Sequence, residues 1–463
     1  MSRGENKPLV VIGAGPGGVA AALRAAQLGA EVKLIEADKV GGVCTNQGCI
    51  PLRVLGSALD LAAETERAGE LGLRGDRLAP EPDQLAARVG QTSDYIRLGT
   101  EGLLKTKGVE LIRGRAVLAG PDRVAVRSKN GEETIDARRI ILAAGAGWSR
   151  PRIPGADLEG VVTGDELLTR PGNPGRLAIL GDQPWAIELA LFHLALGARV
   201  SLLSPERLLP QADRQIAGRL RKALKARGMT IIQKARPLAV SATKSGLRVE
   251  FEDKGGSASL ETDKVLFTGR KPSWEGLGLR KAGVEVARGA VRVDERLRTS
   301  NPAVFALGDL TGPPLLSHKA SAQGIIAAEN ALGKDRVFEP QTLPSVLLTS
   351  PEVAWVGLSE KQARAQGLEV VVGEMPYGVN ARAAAEMNTA GFVKLICGAR
   401  YKEVLGVHLI GPHSAELITQ AALAVRLEAT AEDLARLTAP HPSYAEALVD
   451  AARTVLDGAL YLP

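Results

Sequence analysis

Aromatic residues are scarce in this 463-residue chain, at 3 %. A core with so few rings has to rest on Leu, Val, Ile and Ala. A chain of this length outgrows one core, so two to four domains are expected. Cysteine is scarcer still. Three cysteines cannot make the disulfide framework of a secreted scaffold, so any disulfide here points to chemistry and to a cytoplasmic setting. No apolar run approaches the ~20 residues that span a bilayer; the stretch 186–198 is short and interrupted. The opening segment 1–8 is polar and lacks the apolar centre of a secretory signal. Neither a membrane span nor export is expected.

An excess of one charge is also missing. The net charge of +6 comes from 58 Lys and Arg set against 52 Asp and Glu, interleaved along the chain. The densest basic stretch, 214–225, reads as the polar face of a helix, so no nucleic-acid partner is expected. With 45 % hydrophobic and 24 % charged residues, the composition is that of a folded globular protein.

What the sequence does have is a repeat. A strand at 9–12, a glycine turn, a helical run at 19–28 and a strand at 31–35 make a βαβ unit. A second unit follows: strand 177–180, helix 187–196, strand 199–203. Two such units imply two Rossmann-like nucleotide-binding domains with parallel sheets. Between them, 53–71 and 86–107 read as helices separated by Pro80 and Pro82, and 140–144 reads as a buried strand ending at Gly145 and Gly147. Pro151 and Pro154 mark a linker, and 304–309 reads as a strand with a terminal acid. From about position 341 the pattern changes to a third, α+β architecture that closes in helices, including 414–427.

The first turn, Gly13-Ala14-Gly15-Pro16-Gly17-Gly18, fits GxGxxG through Gly13, Gly15 and Gly18. The first glycine makes the tight turn, the second admits a pyrophosphate to the backbone, and the third lets helix and strand pack closely. The helix N-terminus supplies positive potential to the phosphates. Glu36 ends the next strand and can accept from a ribose diol. A glycine-rich turn alone says little; strand, helix and acid together specify a dinucleotide site.

Directly after it stand Gly42-Val43-Cys44-Thr45-Asn46-Gln47-Gly48-Cys49. Two thiols five apart at the opening of a helix come within disulfide reach, about 4.4–6.8 Å between Cα atoms. A helix N-terminus also favours thiolate. The competing readings are inert buried cysteines or a metal site, and no nearby His or Cys completes the latter. Placement beside a nucleotide site favours a redox-active pair. His441 and Glu446, around Pro442, could serve as a base and the carboxylate that fixes its tautomer, although such pairs are more often structural. His193 reads as helix packing, His408 and His413 as strand-end residues, and Cys397 as core.

In order along nearly the whole chain, these motifs resemble the pyridine-nucleotide disulfide oxidoreductases, and within them the dihydrolipoamide dehydrogenase branch. The match runs through Gly13–Gly18, Glu36, Cys44 to Cys49, Gly114, Gly269-Arg270-Lys271-Pro272, Gly308-Asp309 and Leu316-Ser317-His318-Lys319-Ala320. It continues through 349–358, Gly391-Phe392-Val393-Lys394, 411–418 and His441-Pro442-Ser443-Tyr444-Ala445-Glu446. The resemblance implies an α/β fold of two Rossmann-like domains plus an α+β dimerisation domain. Its divisions would be 1–148 (FAD, first part), 149–270 (NAD(P)-type), 271–340 (central) and 341–463 (interface). It implies FAD, held by Gly13, Gly15, Gly18, Glu36, Gly42, Ala116, Gly145, Arg270, Asp309 and Ser317. It further implies Cys44 as the thiol that exchanges with a dihydrolipoyl substrate and Cys49 as the flavin-facing thiol. His441 with Glu446 would be the base, contributed across a homodimer, and no metal is involved.

Two departures from the family pattern stand out. The second turn reads Gly181-Asp182-Gln183-Pro184-Trp185-Ala186. Ala186 is a tolerated variant, but Gln183 replaces the second glycine, Trp185 adds bulk, and Ser204 stands where the strand-end acid belongs. A lost charged hydrogen bond costs about 1.5–3 kcal/mol and a crowded contact roughly 1–3 more. Together these are on the order of 10²- to 10⁴-fold in affinity, so NAD(P) binding is expected to be weakened. Ser204 with Arg207 could instead suit a 2′-phosphate. The second departure is Pro51-Leu52-Arg53 for the family's Pro-Ser-Lys. Arg53 would replace the lysine that pairs with Glu188 near the flavin, with a larger and differently shaped cation.

The leading expectation is therefore an FAD-dependent dithiol/disulfide oxidoreductase acting on dihydrolipoyl groups, its acceptor being NAD(P) or another carrier such as a quinone. The alternatives are a reductase of another disulfide or of mercuric ion, and a non-catalytic assembly subunit. Retention of Cys44, Cys49, His441 and Glu446 speaks against the last.

Overall fold

The computed structural model describes residues 7–66, 68–75, 78–170, 172–458 and 460–462. Most of the polar opening segment, and position 67 within the expected helix 53–71, lie outside the described residues.

The first βαβ unit forms as expected. Strand Leu9–Ile12, helix Pro16–Gln27 and strand Val32–Glu36 enter a five-stranded parallel sheet. Its order is 110–113, 32–36, 9–12, 139–142, 304–306. Leu-Val-Val-Ile at its centre is buried at every position. Such unbroken apolar runs suit strands covered on both faces, and each fully buried Leu or Ile contributes roughly 1.5–3 kcal/mol. The chain leaves Leu9–Ile12 for one side of the sheet and later returns to its other side. The crevice between Leu9–Ile12 and Arg139–Leu142 is thus a topological switch point, where open α/β sheets bind ligands. The acid expected to end a strand at 304–309 lies instead in a short 3₁₀ turn, Gly308–Thr311, after strand Val304–Ala306.

The second half repeats the plan. Its parallel sheet runs 230–233, 199–204, 176–180, 264–267, 161–163. Each half also carries a three-stranded antiparallel meander, 115–136 in the first and 236–262 in the second. Where the halves meet, Ala146–Trp148 pairs antiparallel with Arg270–Pro272.

The C-terminal part is a five-stranded antiparallel sheet, ordered 345–347, 353–357, 404–410, 392–398, 370–376. Helices Ser414–Arg426 and Glu446–Leu456 pack on it. The fit is close: a Cβ at Gly373 would collide with the Ala451 carbonyl oxygen. Leu52 and Leu55 share one core with Ile187 and Leu189 of the second half and with Leu347 and Val353 of this sheet. The helix that begins at Cys49 is thereby anchored to all three units.

Candidate active site

The cysteine segment is two helices rather than one. Helix Gly42–Gln47 is interrupted at Gly48 (φ −149°, ψ −110°), and helix Cys49–Glu66 begins anew. Cys44 is therefore the third residue of the first helix, and Cys49 the first residue of the second. Asn46 braces the segment by donating to the Val40 and Gly42 carbonyls at 3.1 and 2.8 Å.

Both thiols are free, Cys44 half-buried and Cys49 exposed, and they hydrogen-bond one another. That bond raises Cys44 above the ordinary thiol range, with burial adding to the effect. The same bond lowers Cys49 to about 7, against the cost of burial. Ser317, the backbone N–H of Cys49 and the Arg270 charge act in the same downward direction. Cys49 Sγ and Ser317 Oγ lie 3.8 Å apart. Two thiols held next to a nucleotide cradle, one lowered and one raised in pKa, suit thiol–disulfide exchange.

The cradle is built around Gly13. Its φ of +102° is one that side-chain-bearing residues rarely adopt, and a Cβ there would lie 2.5 Å from the Ala143 oxygen. Glu36 receives the Ala14 N–H at 2.6 Å, which ties the strand-end acid to the turn. A Cβ on Gly15 or Gly145 would meet nothing within 4 Å, so both flank open space. Gly42 abuts Gly15, its own Cβ position lying 3.0 Å from the Gly15 Cα. The dithiol segment is thus pressed against the turn. Ala116 is buried in the first meander.

On the far side of the cradle, Asp309 pairs with Arg270 at 3.1 Å, both largely buried. Lys319 lies beneath, donating to the Gly312 and Pro314 carbonyls at 2.6 and 3.0 Å. Burial pushes the Asp309 carboxyl above the usual range, and Arg270 and Lys319 pull against it. Arg270 Nε is buried with no hydrogen-bond partner among the described residues. An unsatisfied buried donor, open glycine faces and a strand-end acid are what FAD would complete, so the residues present fit that group. Sequence reasoning assigns Lys319 no role, although it stands in the Ser-His-Lys-Ala motif.

The second turn has the same backbone with different chemistry. Gly181 has φ +121°, and a Cβ there would collide with Thr268 Oγ1. Gln183 is exposed at the start of helix Pro184–Ala195, in the extended conformation that Gly15 has in the first turn. Trp185 packs edge-on against Trp148, with ring centroids 4.9 Å apart. Ser204 is fully buried and donates to Asp182 Oδ2 at 2.7 Å. Arg207 does not stand ready for a phosphate: its Nη2 donates to the Pro210 and Ala212 carbonyls at 2.5 and 2.9 Å. Ser204 and Arg207 thus each bond within the fold, the hydroxyl to Asp182 and the guanidinium through Nη2.

Arg53 makes no direct ion pair with Glu188 among the described residues, although its charge still acts on that carboxyl. Arg53 Nε bonds Ser57 at 3.1 Å and its Nη2 pairs with Asp60, one and two turns along its own helix. The longer, planar cation reaches along the helix surface instead of across to Glu188. Glu188 accepts the Leu348 N–H at 2.8 Å, and burial pushes it up to about 7.

His441 Nδ1 and Glu446 Oε1 lie 2.9 Å apart, and the Ser443 N–H holds the other carboxylate oxygen at 2.8 Å. Burial opposes the Glu446 charge, but Ser443 and His441 outweigh it and lower the pKa. His441 is exposed and, among the described residues, has no hydrogen bond to the cysteine pair of its own chain. His408 is not a strand-end residue: it is fully buried within strand Val404–Ile410, where burial lowers it to about 4. His413 lies beyond that strand in a left-handed conformation (φ 56°). His193 and Cys397 are core, as expected.

A dithiol pressed on one dinucleotide cradle, a second cradle in the other half, and a His–Glu pair at the start of a helix packed on the third sheet define a flavin-dependent disulfide oxidoreductase. The sequence profile of the pyridine nucleotide-disulphide oxidoreductases matches residues 7–324, and that of their dimerisation domain matches 343–452. The chain belongs to that family. It is 40 % identical to a dihydrolipoyl dehydrogenase of Thermus scotoductus, covering 98 % of each chain, and 36 % identical to dihydrolipoyl dehydrogenase 3 of Pseudomonas aeruginosa, covering 97 % of this chain and 98 % of that one. Among solved structures it resembles LpdA of Mycobacterium tuberculosis, with TM-score 0.89, 28 % identity and coverage of 97 % and 100 %. It also resembles the flavoprotein disulfide reductase RclA of Escherichia coli, with TM-score 0.86, 27 % identity and the same coverage. The protein is an FAD-dependent dithiol/disulfide oxidoreductase and a homodimer. No helix among the described residues is long and apolar enough to cross a membrane.

Proposed function

We propose that the protein oxidises dihydrolipoyl groups to lipoyl disulfides through Cys44 and Cys49. The observation that carries this reading is the placement of the cysteine pair against the cradle: Gly42 abuts Gly15, and Cys49 Sγ lies 3.8 Å from Ser317 Oγ. The partner subunit's His441, oriented by Glu446, accepts the proton of one substrate thiol. That thiolate attacks Cys44 in the oxidised pair and releases Cys49 as a thiolate. The second substrate thiol then displaces Cys44, leaving a lipoyl disulfide and a reduced cysteine pair. Bound FAD supplies a two-electron carrier between this pair and the acceptor. Gly13, Gly15, Gly18, Glu36, Gly42, Ala116, Gly145, Arg270, Asp309 and Ser317 would hold it.

The acceptor in this reading is a pyridine nucleotide, held loosely because Gln183 stands in the approach that Gly15 leaves open. The protein's units in this reading are 1–148, 149–270, 271–340 and 341–463, with strand 304–306 of the third returning to the sheet of the first, and its place is the cytoplasm. The test is steady-state turnover with an artificial acceptor. Oxidation of dihydrolipoamide at rates far above those for other dithiols supports the proposal. Faster reduction of glutathione disulfide by the reduced enzyme points to another disulfide substrate and overturns it.

A further inference from the structure

The two turns superimpose hydrogen bond by hydrogen bond. The Gly13 N–H donates to the Ile35 carbonyl at 2.8 Å, and the Gly181 N–H to the Leu203 carbonyl at 2.9 Å. The Gly114 N–H donates to the Glu36 carbonyl and the Ala235 N–H to the Ser204 carbonyl, both at 2.9 Å. Ala14 therefore corresponds to Asp182, and Glu36 to Ser204. In the first turn the acid is on the strand end and reaches the turn, Glu36 accepting the Ala14 N–H. In the second the acid is on the turn and reaches the strand end, Asp182 accepting the Ser204 hydroxyl. The carboxylate has changed its point of attachment but still bridges the same two backbone positions.

We infer that Asp182 is the specificity-determining carboxylate of the second nucleotide site, selecting an unphosphorylated adenosine ribose, NAD over NADP. The inference rests on the reading that this domain takes a pyridine nucleotide. The tight turn needed for one is intact at Gly181. Asp182 Oδ2 accepts the Ser204 hydroxyl, and a carboxylate, with about four lone-pair sites, keeps capacity to accept from a ribose hydroxyl. Glu206 is near enough to act on the Asp182 carboxyl electrostatically, so a 2′-phosphate would meet two acidic side chains. The nearby guanidinium, Arg207, spends its Nη2 on the Pro210 and Ala212 carbonyls. The acid that distinguishes the two nucleotides in such folds normally stands at the strand end; here the hydroxyl of Ser204 places it from the turn.

Equilibrium binding of NAD⁺ and NADP⁺ to the FAD-loaded homodimer, followed by calorimetry, tests this without turnover. NAD⁺ should bind at least tenfold more tightly than NADP⁺. In Asp182→Ala the NAD⁺ affinity should fall about 10- to 100-fold, the loss of one charge-assisted hydrogen bond. Asp182→Asn, which keeps a carbonyl for Ser204 but no charge, should bring the two nucleotides within a few-fold of each other. It also serves if the alanine variant fails to retain FAD. Equal NAD⁺ binding in wild type and both variants overturns the inference, as does tighter NADP⁺ than NAD⁺ binding or no binding of either. If NAD⁺ is selected but dihydrolipoamide is not oxidised, the proposed substrate fails and this inference stands.

Discussion

Gly13 and Gly181 turn the chain in the same way, at φ +102° and +121°, and each is hemmed in by the strand beyond it. Past the turn the two halves diverge. In the first, a glycine leaves open space at position 15, the dithiol segment presses against it at Gly42, and an acid arrives from the strand. In the second, Gln183 is exposed at the matching place, Trp185 packs on Trp148, and the acid belongs to the turn itself. The backbone hydrogen bonds that fix the turn are shared. The groups that choose a ligand are all side chains, free to change without disturbing the fold. One half therefore keeps a full FAD cradle with chemistry attached, while the other keeps a looser cradle with a relocated acid.

Substitutions can break that contrast, and the most damaging should fall on the dithiol. Cys49→Ser or Cys44→Ser should lower dihydrolipoamide oxidation by on the order of 10³-fold or more, while leaving NAD⁺ binding by the second half intact in calorimetry. His441→Gln should cost about 10²- to 10⁴-fold in dithiol turnover. Mixed dimers carrying it in one subunit and Cys49→Ser in the other should show that base and dithiol come from different subunits, one of their two sites recovering activity. Glu36→Gln should weaken FAD retention roughly 10- to 100-fold, measured as flavin lost on dilution. A Gln183→Gly change should tighten NAD⁺ by roughly tenfold, by restoring the space that Gly15 leaves in the first half.

The mildest change should be in pH dependence. The reduced pair should be alkylated by iodoacetamide at a rate that rises with pH through about 7, because thiolate is the reactive form. The Cys49 charge raises the Glu188 pKa, so by reciprocity the Glu188 charge disfavours the Cys49 thiolate. Glu188→Gln should move the alkylation profile to lower pH. No movement would show that Glu188 lies too far from the sulfurs to matter.

Much of this is legible in the sequence because glycines, strand ends and periodic apolar runs are local signals. Gly13, Gly15, Gly18 and Glu36 can be placed from spacing alone, as can the repeat that begins at Leu177. What spacing cannot show is direction. The motif predicts that Arg53 reaches Glu188, but its side chain lies along its own helix to Ser57 and Asp60, a choice of rotamer that sequence does not record. Asp182 occupies a variable position of the motif, and only the superimposed hydrogen bonds of the two halves give it a meaning. The break at Gly48 is hidden because the apolar pattern of 49–66 continues past the motif. His408 reads as peripheral because burial in a sheet centre depends on which strands flank it.

The function of the first half turns on whether its dithiol is coupled to the flavin. Anaerobic mixing of the oxidised holoenzyme with excess dihydrolipoamide, followed by the visible flavin absorbance, decides it. The absorbance should bleach rapidly in wild type and stay unchanged over the same time in Cys49→Ser. A wild-type spectrum that dihydrolipoamide leaves unchanged, or equal bleaching in Cys49→Ser, would contradict the coupling.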